Sequence, residues 1–223
     1  MVEELSQEQE KTKTQRRTNN NTTTMSSSAT NHHHHHSTKP GAGAGTAGGQ
    51  GLPNYKPAPA EIQYGLFKFL ITDRPTDFTI SQYIEELQKH NAKDVVRVCE
   101  PTYKTQPLVN AGISVHDMEF SDGSFPPKEI LDRWFDLLKD RFQTSGSPCI
   151  AVHCVAGLGR APVMVALALM EAGMKFEDTV EVIRQHRRGA FNQKQLASLE
   201  KYKQQGYLRS LMGKNGKKGC ACM

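Results

Sequence analysis

Large apolar side chains are scarce over residues 11–51. From residue 57 onward, short apolar runs alternate with stretches of helical periodicity. The early segment is rich in Thr, Asn, Ser and Gly, with a histidine run over 32–36 and an Ala–Gly alternation over 41–45. It offers too little apolar surface to offset chain entropy, so residues 1–56 are expected to form a disordered low-complexity extension. The histidine run reads as a simple in-frame repeat, because low-complexity sequence surrounds it on both sides. No metal site and no cofactor are expected.

The pattern beyond it predicts a series of elements. Thr79-Ile80-Ser81-Gln82 has the form of a capping box and should open a helix reaching about residue 90. A Val-rich strand is predicted over 94–99 and a second over 113–118. A helix over 127–142 places Ile130, Leu131, Trp134, Leu137 and Leu138 on one apolar face. Residues 149–152 are short, apolar and bounded by Pro148, which predicts a buried strand. Residues 161–170 are apolar or small, and Pro162 suits a first helical turn. Two more helices are predicted, over 176–187 and over 193–204, the latter capped by Asn192. Strands separated by helices indicate an α/β fold, a mostly parallel central sheet flanked by helices on both faces. Residues 57–208 are of normal size for one such domain, followed by a basic tail over 209–223.

Charge narrows the partners. The 28 Lys and Arg exceed the 23 Asp and Glu, for a formal net charge of +5, and the excess concentrates at 184–188 and at Lys214, Lys217 and Lys218. There is no zinc-finger spacing and no aromatic-interleaved basic strand, so a nucleic-acid partner is not expected. The chain opens on Glu3 and Glu4 without an apolar run, so no secretory signal is expected. The longest apolar run, around Val163 to Met170, is too short to span a bilayer. Cys99, Cys149, Cys154, Cys220 and Cys222 should therefore be thiols in a reducing compartment.

The candidate chemistry lies between the buried strand and the apolar helix, in His153-Cys154-Val155-Ala156-Gly157-Leu158-Gly159-Arg160. A strand, a glycine-bearing loop and a helix start gather backbone N–H groups around one point, and that point favours an oxyanion. Ester hydrolysis through a covalent intermediate needs a charged nucleophile, and thiols ionise more readily beside cations and helix N-termini. Cys154 is the expected nucleophile. Arg160 has the planar fork that can hold two phosphoryl oxygens. Gly157 and Gly159 are expected to take positive φ and to let the backbone approach the phosphate. Val155, Ala156, Gly157, Leu158, Gly159 and Arg160 form the expected phosphate cradle, and His153 should support the loop from behind. The loop has no lysine, so phosphotyrosine is a better fit than a polyphosphorylated head group. Ligands of such sheets sit beyond the carboxyl ends of the strands. Asp122, in a turn-rich loop after the second predicted strand, is placed there as a general acid, then base. Cys99 ends the first predicted strand and should face the same crevice.

The stretch over 151–168, AVHCVAGLGRAPVMVALA, resembles the phosphatase of regenerating liver family, also called protein tyrosine phosphatase type 4A, within the cysteine-dependent dual-specificity-like phosphatases. Ala161 after the loop arginine is a feature of that family, and FLIT at 69–72, VRVCE at 96–100, RRGAFN at 187–192 and the final CACM agree with it. The similarity runs from about residue 57 to the end. The family's usual Asp before the acid, and its Trp-Pro earlier in that loop, are replaced here by Ser121, Met118 and Glu119. The resemblance implies a protein tyrosine phosphatase acting on phosphorylated protein through a phosphocysteine. It also implies a redox disulfide between Cys99 and Cys154, and binding to cyclin-M magnesium transporters at the phosphatase face, with Arg188 as a partner contact. That binding is the alternative main role.

Cys220-Ala221-Cys222-Met223 fits a C-a-a-X prenylation motif, and a terminal Met favours farnesyl on Cys220. One lipid chain binds membranes only marginally, so Arg209, Lys214, Lys217 and Lys218 read as a second signal for anionic inner-leaflet lipids. A prenyltransferase is the implied modifying partner, and a homo-oligomer at the membrane is a further expectation. The expected location is the cytoplasmic face of the plasma membrane and endosomes, and the cytosol or nucleus without the lipid.

Overall fold

The computed structural model of the 223-residue chain describes residues 57–144 and 148–213. The low-complexity segment, Cys220 and the three tail lysines lie outside the described residues. Five strands form one sheet in the order β1-β2-β5-β3-β4: β1 Ala60–Tyr64, β2 Phe67–Thr72, β3 Ala92–Arg97, β4 Ser114–Asp117 and β5 Cys149–His153. β1 and β2 make an antiparallel hairpin, and all other pairings are parallel. β5 is buried along its whole length, as its unbroken apolar run predicts for a central parallel strand.

The helices are α1 Ile80–Lys89, α2 Gln106–Asn110, α3 Lys128–Thr144, α4 Arg160–Glu171, α5 Phe176–His186 and α6 Gln193–Lys201, with a short 3-10 turn at Arg209–Met212. Two apolar clusters divide between the faces of the sheet. Ile62, Phe67, Phe69, Val96 and Val152 pack with Trp134 and Leu138 of α3 and with the apolar residues of α4 from Val163 to Met170. Leu70, Val95 and Ala151 point the other way, onto Ile80, Tyr83 and Leu87 of α1. Alternation along the strands thus feeds both layers. Trp134 satisfies its indole N–H by donating to the Met164 carbonyl of α4 at 3.0 Å.

Some boundaries differ from the sequence reading for physical reasons. Thr79 stands at the N-cap of α1, but its hydroxyl makes no cap bond and instead accepts from the Thr76 N–H at 2.9 Å. The predicted capping box there does not form. β3 ends at Arg97, two residues before the predicted end, although Val98 N–H still donates to the His153 carbonyl at 3.0 Å. α6 does carry a full capping box, from Asn192 and Gln195. It stops at Lys201 because the following chain is drawn onto a buried carboxylate. Glu171 accepts from the Tyr202 hydroxyl and from the N–H groups of Gln205 and Tyr207 at 2.7–2.9 Å. Arg209, grouped with the tail by its charge, sits in the folded 3-10 turn beside Gly206. No helix among the described residues is long and apolar enough to cross a membrane.

Candidate active site

Residues 154–159 leave the carboxyl end of β5 and lead directly into α4. Every carbonyl of this loop is engaged. His153 Nδ1 bonds the Cys154 carbonyl at 3.2 Å. Arg74 N–H donates to Val155, Arg187 Nη2 to Ala156, Arg187 Nε to Gly157, Phe191 N–H to Leu158 and Val163 N–H to Gly159, at 2.8–3.1 Å. No peptide bond here is cis, so each N–H lies opposite the carbonyl of its own peptide plane. Carbonyls held outward therefore turn the N–H groups of residues 155–160 inward, toward the start of α4. This is the concave cluster of donors that accommodates an oxyanion.

Gly157 takes positive φ, +66°, and a Cβ there would lie 2.4 Å from both the Thr72 carbonyl oxygen and Arg187 Nη2. Only glycine fits. Gly159 departs from expectation. Its φ is −121°, so it serves by leaving space instead: a Cβ would sit 3.3 Å from the Gln195 side-chain nitrogen.

Arg160 is buried and brings the distant loops together. Its Nη1 donates to the Phe120 carbonyl at 3.1 Å, and its Nε lies 3.2 Å from Asp122 Oδ1. That proximity is electrostatic, because the Nε–H is not aimed along it and has no hydrogen-bond partner. Asp122 is 77% exposed and also accepts from the Gly123 N–H at 2.9 Å. Glu100 Oε1 approaches Arg160 Nη1 at 3.7 Å. Asp122 thus sits beside Arg160 and lines one cavity with Leu158 and Gly159 of the loop.

Cys99 and Cys154 are buried, free thiols in the same cluster. The β3–β5 register matches Arg97 with His153, which brings Cys99 alongside the start of the loop. Burial pushes the Cys99 thiol up, with the charges of Arg160 and Arg74 opposing it.

Behind the loop, His153 is fully buried. Because a carbonyl only accepts, Nδ1 carries the proton, and Nε2 accepts from the Tyr103 hydroxyl at 2.7 Å. Burial lowers the His153 pKa to about 4, with Arg97 and Arg74 acting in the same direction. The imidazole is neutral at physiological pH and acts on the loop as a support. Tyr103 is itself held by Arg97, which donates to its carbonyl at 3.2 Å and stacks 4.8 Å over its ring. Arg97 pairs in turn with Asp117, whose carboxyl it holds below the usual range.

Sequence reasoning missed Arg187, Tyr103, Arg97 and Gln195. Arg187 sat within a basic run read as net charge, yet it is buried and joins the loop to the Pro57 and Ala58 carbonyls at 3.1 and 2.6 Å. Its neighbour Arg188 is exposed and is not among the groups that hold the loop.

A family model described as a polymorphic toxin system DSP-PTPase phosphatase matches residues 72–174. The PRL-1 phosphatase of Drosophila melanogaster is 58% identical over 163 residues, covering 73% of this chain and 91% of that protein. The human protein tyrosine phosphatase type IVA 3 is 54% identical over 154 residues, covering 69% and 89%. Among solved structures, a protein tyrosine phosphatase of Leishmania major superposes with a TM-score of 0.59 at 40% identity, covering 66% of this chain and 99% of that one. With relatives this similar over nearly their full length, and a cysteine loop built to hold an oxyanion, the chain belongs to the protein tyrosine phosphatase type IVA family, the phosphatases of regenerating liver.

Proposed function

We propose that the chain is a slow, membrane-tethered phosphatase that dephosphorylates phosphotyrosine in proteins by two successive displacements at Cys154. The observation that carries this reading is the ring of inward N–H groups around Cys154, next to an arginine with a buried N–H still unpartnered. In the first step the Cys154 thiolate attacks phosphorus, the P–O bond to the tyrosine breaks, and Asp122 gives its proton to the leaving oxygen. In the second, Asp122 takes a proton from water, the water oxygen attacks phosphorus, and the thiolate leaves. Arg160 and the N–H groups of residues 155–160 hold the equatorial oxygens in both.

Ala161, buried at the start of α4, has no hydroxyl to stabilise the departing sulfur, so the phosphocysteine should persist. Intact mass of the protein mixed with an aryl phosphate tests this. A phosphate adduct is expected on the wild type and none on Cys154→Ser. Ala161→Ser should shorten the adduct's lifetime by a few-fold to ~100-fold. An adduct that survives in Cys154→Ser removes the nucleophile assignment.

Under peroxide, the Cys154 thiolate is oxidised to a sulfenic acid, and the Cys99 thiol displaces water to form a disulfide that reductants reopen. Farnesylation of Cys220 with the basic tail supplies the membrane affinity. Cys220→Ser is expected to move an N-terminally tagged protein from the membrane fraction to the cytosol, and full retention would place the anchor elsewhere.

The exposure of Val155 in the loop and of Arg188 also favours a second reading. In it the site is a docking face for cyclin-M magnesium transporters, with catalysis secondary.

A further inference from the structure

Among the described arginines, only Arg74 and Arg188 donate from the side chain to no acceptor. Arg188 is exposed, as a solvated cation should be, but Arg74 is half-buried. A charge withdrawn from water without a partner is unfavourable, so its position calls for an anion. The sheet fixes where that anion lies. The β2–β5 register pairs Thr72 with His153, and it carries on past both strand ends to Arg74 and Val155. There the Arg74 N–H donates to the Val155 carbonyl at 3.1 Å, which seats the residue directly beside the nucleophilic loop. Its charge opposes the rise of the Cys99 thiol and helps keep His153 unprotonated, so the guanidinium is close enough to the crevice to act on both.

A cavity of about 310 Å³ opens on the same side, where Pro57, Pro59, Pro75 and Tyr83 give Arg74 apolar neighbours. Its walls are fixed from several directions. Arg187 joins the Pro57 and Ala58 carbonyls to those of Ala156 and Gly157, and the Tyr83 and Thr72 hydroxyls are bonded at 3.2 Å. The loop over 73–79 is itself pinned. Asp77 accepts from the Lys104 N–H at 2.9 Å, and Thr76 and Thr79 bond each other. The carboxylates on the cavity wall are committed, since Glu86 pairs with Lys89 and His90 and Asp73 is not free. What remains is a recess with an unanswered cation, next to the ring of N–H groups around Cys154.

We propose that Arg74 selects phosphotyrosine substrates with an acidic residue flanking the phosphorylated one, its guanidinium pairing with that carboxylate while the loop holds the phosphate. The inference rests on the phosphatase reading above and names the class of peptide that the site prefers. The loop grips only what every phosphotyrosine shares, so discrimination between substrates falls to a group beside it.

Phosphate release from synthetic phosphotyrosine peptides tests the proposal, with the full chain and with Glu, Ala or Lys on both sides of the phosphotyrosine. In the wild type, kcat/KM should favour the Glu-flanked over the Lys-flanked peptide on the order of tenfold, mostly through KM. The ratio should shrink as salt is raised. Arg74→Gln should bring it down toward one, Arg74→Lys should keep part of it, and Arg74→Glu should reverse it. Each ratio is taken within one variant, so a general disturbance of the loop cancels. If Arg74 is only structural, its variants lose activity on all three peptides together and the ratio stays as it was. That result, or a wild type that does not distinguish the peptides, overturns the proposal. If the wild type hydrolyses none of the peptides, the phosphotyrosine reading fails first and this inference falls with it.

Discussion

Arg160 and Arg187 are both buried against one loop, at 2% and 1% exposure, and their donors are used in opposite ways. Arg187 gives Nε, Nη1 and Nη2 to four backbone carbonyls, two of them in the loop and two in the chain before β1. Among the described residues Arg160 makes one such bond, to Phe120, and is otherwise approached by the carboxylates of Asp122 and Glu100. A guanidinium saturated by carbonyls fixes shape. One left with a buried, unpartnered N–H beside two exposed carboxylates suits the anion-holding role proposed for Arg160. Burial alone does not separate the two roles; the fate of each N–H does.

The largest effect is expected at Arg160. Arg160→Lys keeps a charge and loses the fork, so kcat/KM on an aryl phosphate should fall on the order of 10³-fold with the melting temperature little changed. Equal losses of stability and activity would mean that Arg160 is a second structural clamp. Arg187→Met should behave in the reverse sense. It strands buried carbonyls that a charged donor now satisfies, and chemical denaturation should register a loss of about 3 kcal/mol. Its activity, measured well below the melting point, should drop less than that of Arg160→Lys.

A smaller effect sharpens the contrast with the uncharged support behind the loop. His153 has a folded pKa of about 4, below the ordinary value of 6.5. Between those two values the unfolded chain binds the extra proton, so stability is lost as pH falls through the window, by up to about 1.4 kcal/mol per pH unit. Urea midpoints from pH 7 to 4 should show this slope, and His153→Gln should flatten it. The carboxylates held low by partners, Asp94 and Asp117 among them, act in the same direction but lower on the scale. An unchanged slope in His153→Gln would assign the whole acid sensitivity to them.

Residues whose roles are settled by near neighbours in sequence were legible. The strand, the positive φ of Gly157 and the helix start share one local geometry over residues 149–160, so types and spacing were enough for them. Asp122 could be placed because a polar turn after β4 must emerge at the same sheet edge. The groups that hold the loop from behind were not legible. Arg187 reaches residues 30 positions away, and Tyr103 meets His153 across 50. Nothing in a basic run marks which arginine turns inward. Thr79 had a cap signature that a preceding turn at Thr76 took over, whereas Asn192 kept its cap because Gln195 returned the bond. Gly159 shows a further limit, since a glycine required for space reads the same as one required for positive φ.

The place of β5 in the sheet has a consequence for motion. It has parallel neighbours on both sides, whereas β4, from which the Asp122 loop departs, is an edge strand with one. Local opening draws on the least protected segments, so amide exchange should be slowest along β5 and fast through β4 and the turn beyond it. The molecule thereby joins two kinetic regimes at one point. The sulfur follows directly on the strand expected to open last. The carboxylate rides on one that can fluctuate while everything else stays folded. On the proposed mechanism, proton transfer by Asp122 would then depend on the softer segment and attack by Cys154 on the firmer one.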